Sequence, residues 1–392
     1  MGVFIDSNSL ENLKKYKYSA EDHSLISKYV LKHFWSRFVL LFPMWLAPNL
    51  VTLIGFFFVL VNVFTVHYYD PSLNASAPSW AYLTYALGLF LYQTFDACDG
   101  GQARRTGQSG PSGELFDHCV DAINTSLGVY IFASASNLGY GWCLVLAQFA
   151  TLCNFYMSTW EEYNTGTLYL SAFSGPVEGI SIVVFLFILV SFTGPQIFHT
   201  SFANIIGVNT GISYLNMITP IQVYLVFGVV ALGFNIRSAC VNVLKSRRTR
   251  GLPTRGALSG LIPFFAFYVS VFTWVYVCPA VLTQYGFPFL SIVGLSNAFM
   301  VGRIILAHLT KTDFPYFHFV TLLPSVCILL HFLGIAIHGS IASFTFASVY
   351  MSLGVCTVTY GFFVMEIINE ITTYLDIWCL TIKHPKDVTK QE

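Results

Sequence analysis

Apolar runs recur along the whole chain, each about twenty residues long, the length an α-helix needs to cross the hydrocarbon of a bilayer. Ten of them fall near residues 50–69, 80–98, 114–134, 139–159, 177–194, 218–242, 258–280, 286–307, 318–337 and 345–367, each bounded by Gly, Pro, Asn or charge. They predict an all-α polytopic membrane protein of about ten transmembrane helices. The stretch before the first run, LISKYVLKHFWSRFVLLFPMWL, reads differently. Ile26, Tyr29, Val30, Phe34 and Phe38 make an apolar face, interrupted by Lys28, Lys32 and Arg37. That is the pattern of an amphipathic helix lying in the membrane interface.

Composition agrees: 55% of the 392 residues are hydrophobic and only 10% charged, against about 25% charged in soluble domains. Net charge is zero, which gives no support to nucleic-acid binding. Nine cysteines are scattered without a C-x-x-C pair and read as thiols packed among helices. Lys14, Lys15 and Lys17 lie in a polar N-terminus with no cleavable signal pattern.

The placement of Lys and Arg sets an orientation. If the N-terminus is cytoplasmic, the even loops hold Arg104, Arg105, Lys245, Arg247, Arg248, Arg250, Arg255 and Lys311, and the tail adds Lys383, Lys386 and Lys390. The odd loops, at 70–79, 135–138, 195–217, 281–285 and 338–344, contain no Lys or Arg. Both termini are therefore expected in the cytoplasm. The basic KSRRTRGLPTR stretch reads chiefly as a topology anchor, with attraction of anionic lipid as the second reading. Arg303, ending the eighth run, is expected to snorkel or to pair with an acid.

Against this background one segment stands out. DACDGGQARRTGQSGPSGELFDHCVD, residues 96–121, holds four aspartates, a glutamate and an Arg-Arg pair between two apolar runs. Asp96 and Asp99 are three residues apart, and Asp117 and Asp121 four apart, so each pair shares a helix face. The Gly- and Pro-rich link turns the chain, so the two acidic faces converge at the cytoplasmic membrane surface. Converging carboxylates in a poorly solvated place must be protonated, paired or bound to cations. Arg104 and Arg105 are candidate partners, but two hard divalent cations sharing four carboxylates solve the problem better. Magnesium also binds phosphates, which points to a diphosphate substrate. Gly100, Gly101 and Gly113, with Ala103, leave the backbone approachable, and Arg104 offers a planar fork for phosphate. His118, beside Asp117, is placed to take a proton from an attacking hydroxyl. In WEEY, Glu161 and Glu162 with Trp160 and Tyr163 read as an interfacial aromatic anchor or, second, as contacts to a cationic head group.

The pattern D-x-x-D-G-x-x-A-R-x8-G-x-x-x-D-x-x-x-D, read here by Asp96, Asp99, Gly100, Ala103, Arg104, Gly113, Asp117 and Asp121, is identified as the signature of CDP-alcohol phosphotransferases. APNLVTLIGF, GELFDHCVDAINT, STWEEYNTGTLYL, GPVEG and TTYLDIWCLTIKHPK extend the resemblance to fungal choline and ethanolamine phosphotransferases over most of the chain. The resemblance implies transfer of phosphocholine or phosphoethanolamine from CDP-choline or CDP-ethanolamine to diacylglycerol, releasing phospholipid and CMP. It implies two Mg2+ ions, with Mn2+ able to substitute, among Asp96, Asp99, Asp117 and Asp121. It makes His118 the base, Glu178 of GPVEG its orienting acid, and Asn49, Gly100, Ala103, Arg104 and Gly113 contacts to the CDP-alcohol. It further implies a homodimer in the endoplasmic reticulum or Golgi membrane. The organisation expected is a cytoplasmic N-terminal segment with the interfacial helix (1–49), catalytic helices (50–200), further membrane helices for lipid entry and dimer contacts (201–367) and a cytoplasmic tail (368–392). Two other readings remain open: a CDP-diacylglycerol-dependent phosphatidyltransferase with the same motif, and an ion-coupled transporter, which would more often show repeated halves and a midplane site.

Overall fold

The computed structural model describes residues 2–16, 18–170, 175–207, 215–338 and 342–385. Lys17, Lys386 and Lys390, and parts of the 195–217 and 338–344 loops, lie outside the described residues. Among the described residues, long helices lie where the apolar runs fall: α1 (Pro48–Tyr69), α2 (Ser79–Thr106), α3 (Pro111–Ala135), α4 (Trp142–Thr165), α5 (Pro176–Thr193), α6 (Pro220–Thr249), α7 (Ile262–Val277), α8 (Gly286–Thr310), α9 (Leu323–His338) and α10 (Ala342–Leu375). Among the described residues, seven helical stretches are long and apolar enough to cross a membrane. The helices outside that group, α2, α3 and α4, have 28, 25 and 24 residues but carry the acidic and polar positions of the central site.

Local sequence explains the boundaries. Pro48, Pro111, Pro176 and Pro220 sit in the first turn of their helices, where the missing N–H costs nothing. Gly107 ends α2 at φ 73°, a left-handed conformation that favours glycine, and starts the reversal into α3.

α1 packs on α2 and α3, and α2 packs also on α5. α8 packs on α3, α4 and α10 and is the centre of the bundle: 83% of its apolar window is buried, against 6% for α6. One core therefore runs from Tyr82, Tyr85 and Tyr92 through Tyr130 and Trp160 to Trp274 and Phe289, joining the helices before and after residue 200. The outer faces expose Phe64, Phe185, Phe192, Phe234 and Tyr276, as a lipid-facing surface should. Six of the nine free cysteines are buried among the helices.

The N-terminal segment does more than lie flat. Ile5, Leu10 and Leu13 are buried, and Asn12 donates to the Thr310 carbonyl at 2.8 Å, docking residues 7–15 at the end of α8. β1 (Ala20–Asp22) pairs in parallel with β2 (Leu168–Leu170), just after α4. A π-helical stretch, Ser27–Leu31, and a short α-helix, Lys32–Phe38, follow and leave Tyr29, Val30 and Phe34 exposed, the apolar face expected of an interfacial helix. Its exit is pinned to the end of α2: Gln102 donates to the carbonyls of Pro43 and Leu46, each at 2.9 Å, and Arg105 donates to those of Val39 and Phe42.

Two expectations are corrected here. Trp160 is fully buried and donates to the Ala257 carbonyl at 2.8 Å, so it braces α4 inside the protein instead of anchoring it at the lipid interface. Arg303 stacks over the rings of Phe4 and Phe299, with its guanidinium carbon 5.8 and 5.9 Å from their centroids, using the docked N-terminus as its partner.

Candidate active site

The turn between α2 and α3 brings the two acidic faces together. Ligand oxygens of Asp96, Asp117 and Asp121 lie within 4.8 Å of one another. Asp99 is a side-chain neighbour of Asp117, and Thr52 of α1 donates to its Oδ2 at 2.5 Å. Tyr92, one turn before Asp96, donates its hydroxyl to Asp121 Oδ1. Among the described residues no ion pair joins Arg104 or Arg105 to these aspartates. Arg105 is committed to backbone carbonyls and to Gln102 Oε1 at 2.7 Å. Among the described residues the cluster is thus held by two hydroxyls, and no cationic side chain pairs with it.

That arrangement fits metal binding. Asp96 Oδ1 and Asp117 Oδ1 are buried without a hydrogen-bond partner, a costly condition for a carboxylate unless something else neutralises it. A hard divalent cation with oxygen ligands does so.

The remaining candidates flank the aspartates. Arg104 is exposed and folds back over the glycines. A Cβ placed on Gly100 would meet only Arg104 Nη1, at 3.7 Å, so protein does not fill the space over Gly100. A Cβ on Gly113 would meet Asn49 Oδ1 at 3.8 Å, so Asn49 and Gly113 face each other across the start of α1 and α3. Ala103, partly buried, continues the Gly100 face. Asn49 also meets the tail, donating to Cys379 Sγ at 3.6 Å, while Leu46 bridges to Thr381 and Gln108 donates to the His384 carbonyl. The tail is braced by Lys383 and His384 on Asp376, whose hydrogen bonds and charge hold that carboxyl below its ordinary range.

His118 does not hydrogen-bond to Glu178 in this structure. Its Nδ1 is buried and unpartnered, and the acids that share its space, with ligand atoms within 4.8 Å of one another, are Glu114 and Glu162. Glu178 instead accepts at Oε1 from the Ser24 hydroxyl, at 2.6 Å, and from the Ile26 amide, at 3.4 Å. It ties the N-terminal segment to the start of α5. Glu161, next to Glu162, turns away and accepts from Asn242 of α6 at 2.7 Å. Tyr18 is 61% exposed at the end of the N-terminal segment. Desolvation of its hydroxyl, and then the charge of Glu162, Asp117, Asp99 and Asp96, push its phenol up to about 12.

Sequence reasoning missed Thr52, Tyr92 and Glu114. Tyr92 and Glu114 were visible in principle, being one helical turn before Asp96 and His118; Thr52 comes from α1, whose approach no local pattern announces.

Residues 45–219 match the model of a family described as CDP-alcohol phosphatidyltransferase. Across 403 residues, covering 99% of this chain and all of the relative, the sequence is 45% identical to cholinephosphotransferase 1 of Saccharomyces cerevisiae. The chain belongs to the CDP-alcohol phosphatidyltransferase family. Other members are choline/ethanolaminephosphotransferase 1 of the same yeast, 46% identical over 98% of this chain and all of the relative, and choline/ethanolaminephosphotransferase 2 of Arabidopsis thaliana, 35% identical over 97% and 98%. The family generally uses divalent metal ions, and the acidic groups at the α2–α3 turn are of a kind that binds them.

Proposed function

We propose that the protein transfers phosphocholine or phosphoethanolamine from CDP-choline or CDP-ethanolamine to the hydroxyl of diacylglycerol, giving phosphatidylcholine or phosphatidylethanolamine and CMP. The observation that carries this reading is the acidic centre at the α2–α3 turn, with Asp96, Asp117 and Asp121 within 4.8 Å, set in a chain similar over its whole length to enzymes so named.

In this reading Asp96, Asp99, Asp117 and Asp121 hold two Mg2+ ions, which Mn2+ can replace; when bound, the ions stabilise charge on the transferring phosphate and on departing CMP. Thr52 and Tyr92 fix the carboxylates before substrate arrives, so orientation is set in advance. Arg104, over the open face of Gly100 and Ala103, receives the diphosphate, and the Asn49–Gly113 contact marks the entry for the nucleotide. His118 accepts the proton of the diacylglycerol hydroxyl, through whichever ring nitrogen faces it. Glu114 and Glu162 orient the imidazole and balance its charge. Glu178 serves the site indirectly, by holding the N-terminal segment that carries Tyr18.

The location suits the two substrates: a water-soluble nucleotide approaches from one side of the membrane edge, and diacylglycerol enters between helices. We place the site and both termini in the cytoplasm, the enzyme in the endoplasmic reticulum membrane, and the active form as a homodimer using helices after residue 200.

The test is CMP release by purified protein given diacylglycerol with CDP-choline or CDP-ethanolamine. Turnover with either supports the reading. Turnover only with CDP-diacylglycerol and inositol, serine or glycerol phosphate would replace it with the phosphatidyltransferase alternative.

A further inference from the structure

A second cavity, of about 750 Å3, lies beside α4 and does not include the aspartates. α4 turns Phe155 and Glu162 toward His118. Its adjacent face, rotated by about 100°, presents Asn154, Ser158 and Glu161 to this cavity. α6 supplies the facing wall with Ser238, Asn242 and Ser246, at helical spacing. The walls meet where Asn235 donates to Asn154 at 2.8 Å and Asn242 donates to Glu161 at 2.7 Å. The lining carries both signs of charge: Lys245 and Arg250 against Glu21 and Glu161.

A polar seam between two membrane helices is usually closed by its own side chains. This one leaves an open cleft whose volume is within the range of ligand pockets, about 300–1,000 Å3. Its outer flank is uncovered and, Arg237 apart, apolar, with Phe234 63% and Val241 53% exposed. Arg237 lies on that same outer row, exposed, and forms no ion pair among the described residues. α6 has 30 residues, about 45 Å of helix, whereas the hydrocarbon is about 30 Å thick. With its basic end at the membrane surface, Asn242, Lys245, Ser246 and Thr249 of the lining stand at head-group level, and Ser238 and Asn235 lie about one and two helical turns deeper.

We propose that the cleft binds the head group of a zwitterionic glycerophospholipid, distinct from either substrate of the active site. The phosphate meets Lys245, the amine meets Glu161, and the acyl chains run along Phe234 and Val241. Mixed charge in the cleft fits a zwitterion better than an anionic lipid, and the apolar flank has no use for a water-soluble ligand. The proposal goes beyond the reaction assigned to the aspartates and does not depend on it.

The test uses full-length protein in detergent, stripped of lipid and then given phosphatidylcholine with a photoreactive acyl chain; labelled peptides are mapped by mass spectrometry. Labelling is expected on α6 between Phe234 and Val241. Ser238→Trp, which fills the cleft, and Lys245→Glu, an exposed change that removes the phosphate partner, should each cut it by about fivefold or more, the loss of roughly one good polar contact. Excess unlabelled phosphatidylcholine should compete, whereas phosphocholine and diacylglycerol should not. Undiminished labelling in Lys245→Glu, with unlabelled lipid failing to compete, identifies bulk annular lipid and overturns the proposal even if Ser238→Trp does not fold. Equal competition by phosphocholine overturns the lipid assignment, and equal competition by diacylglycerol overturns head-group recognition. Asp96→Asn should keep full labelling, so failure of the active-site reading leaves this result readable.

Discussion

Thr52 Oγ1 lies 2.5 Å from Asp99 Oδ2, a hydrogen bond from α1 to α2 that fixes one of the four carboxylates from a helix lacking acids of its own. Thr52 is buried, so Thr52→Val keeps the shape and removes only the donor. The expected result is a Mg2+ activation curve displaced to about tenfold higher concentration, the loss of an outer partner of a metal ligand, with the maximal rate largely recovered at saturation. CMP release against Mg2+ concentration checks it; an unmoved curve removes Thr52 from the site.

Asp117 and Asp121 give a harsher expectation. Each is a carboxylate of the cluster, and Asn is nearly isosteric but uncharged. Asp117→Asn or Asp121→Asn should lower turnover by more than about a thousandfold if preorganised charge stabilisation dominates, while size-exclusion behaviour and helix content stay unchanged. Full activity in either variant counts against the metal reading.

Much of this architecture was legible in sequence because membrane solvation makes long apolar runs obligatory helices. The convergence of Asp96, Asp99, Asp117 and Asp121 was legible because it is local: two helix faces and a turn. What escaped depends on which helices meet. Nothing around Thr52 announces that α1 crosses α2 at Asp99, and nothing around Trp160 says that Ala257 will cover it. Glu178 shows what a motif leaves out: Ser24, far away in sequence, donates to one of its oxygens. A π-helical stretch, Ser27–Leu31, opening the interfacial helix has no signature in the hydrophobic pattern at all.

Gly88 offers a prediction about stability. A Cβ there would stand 2.5 Å from Asn62 Nδ2, and Asn62 is buried, donating to the Tyr85 carbonyl at 3.1 Å. Gly88→Ala must push Asn62 aside and break that bond between α1 and α2. The expected cost is about 1–3 kcal/mol, read as a lower melting temperature in detergent, with activity falling in parallel as the aspartate-bearing helix loses its support. An unchanged melting temperature would mean that Asn62 repacks freely.

The acid that orients His118 can be decided by comparing two variants. Glu162 shares space with His118, whereas Glu178 holds Ser24 and Ile26. Glu162→Gln should therefore act on the chemical step, lowering kcat by about 10–100-fold as loss of a partner to a working histidine does, with KM for the CDP-alcohol little changed. Glu178→Gln keeps one acceptor for Ser24 but loses the charge, so it should loosen residues 18–27, raise their hydrogen exchange and raise KM more than it lowers kcat. His118→Ala sets the scale: a large fall in rate with nucleotide binding retained. If instead Glu178→Gln matches His118→Ala in kcat and Glu162→Gln is silent, the orienting role belongs to Glu178, and the Ser24 contact must be exchanged for His118 when substrate binds.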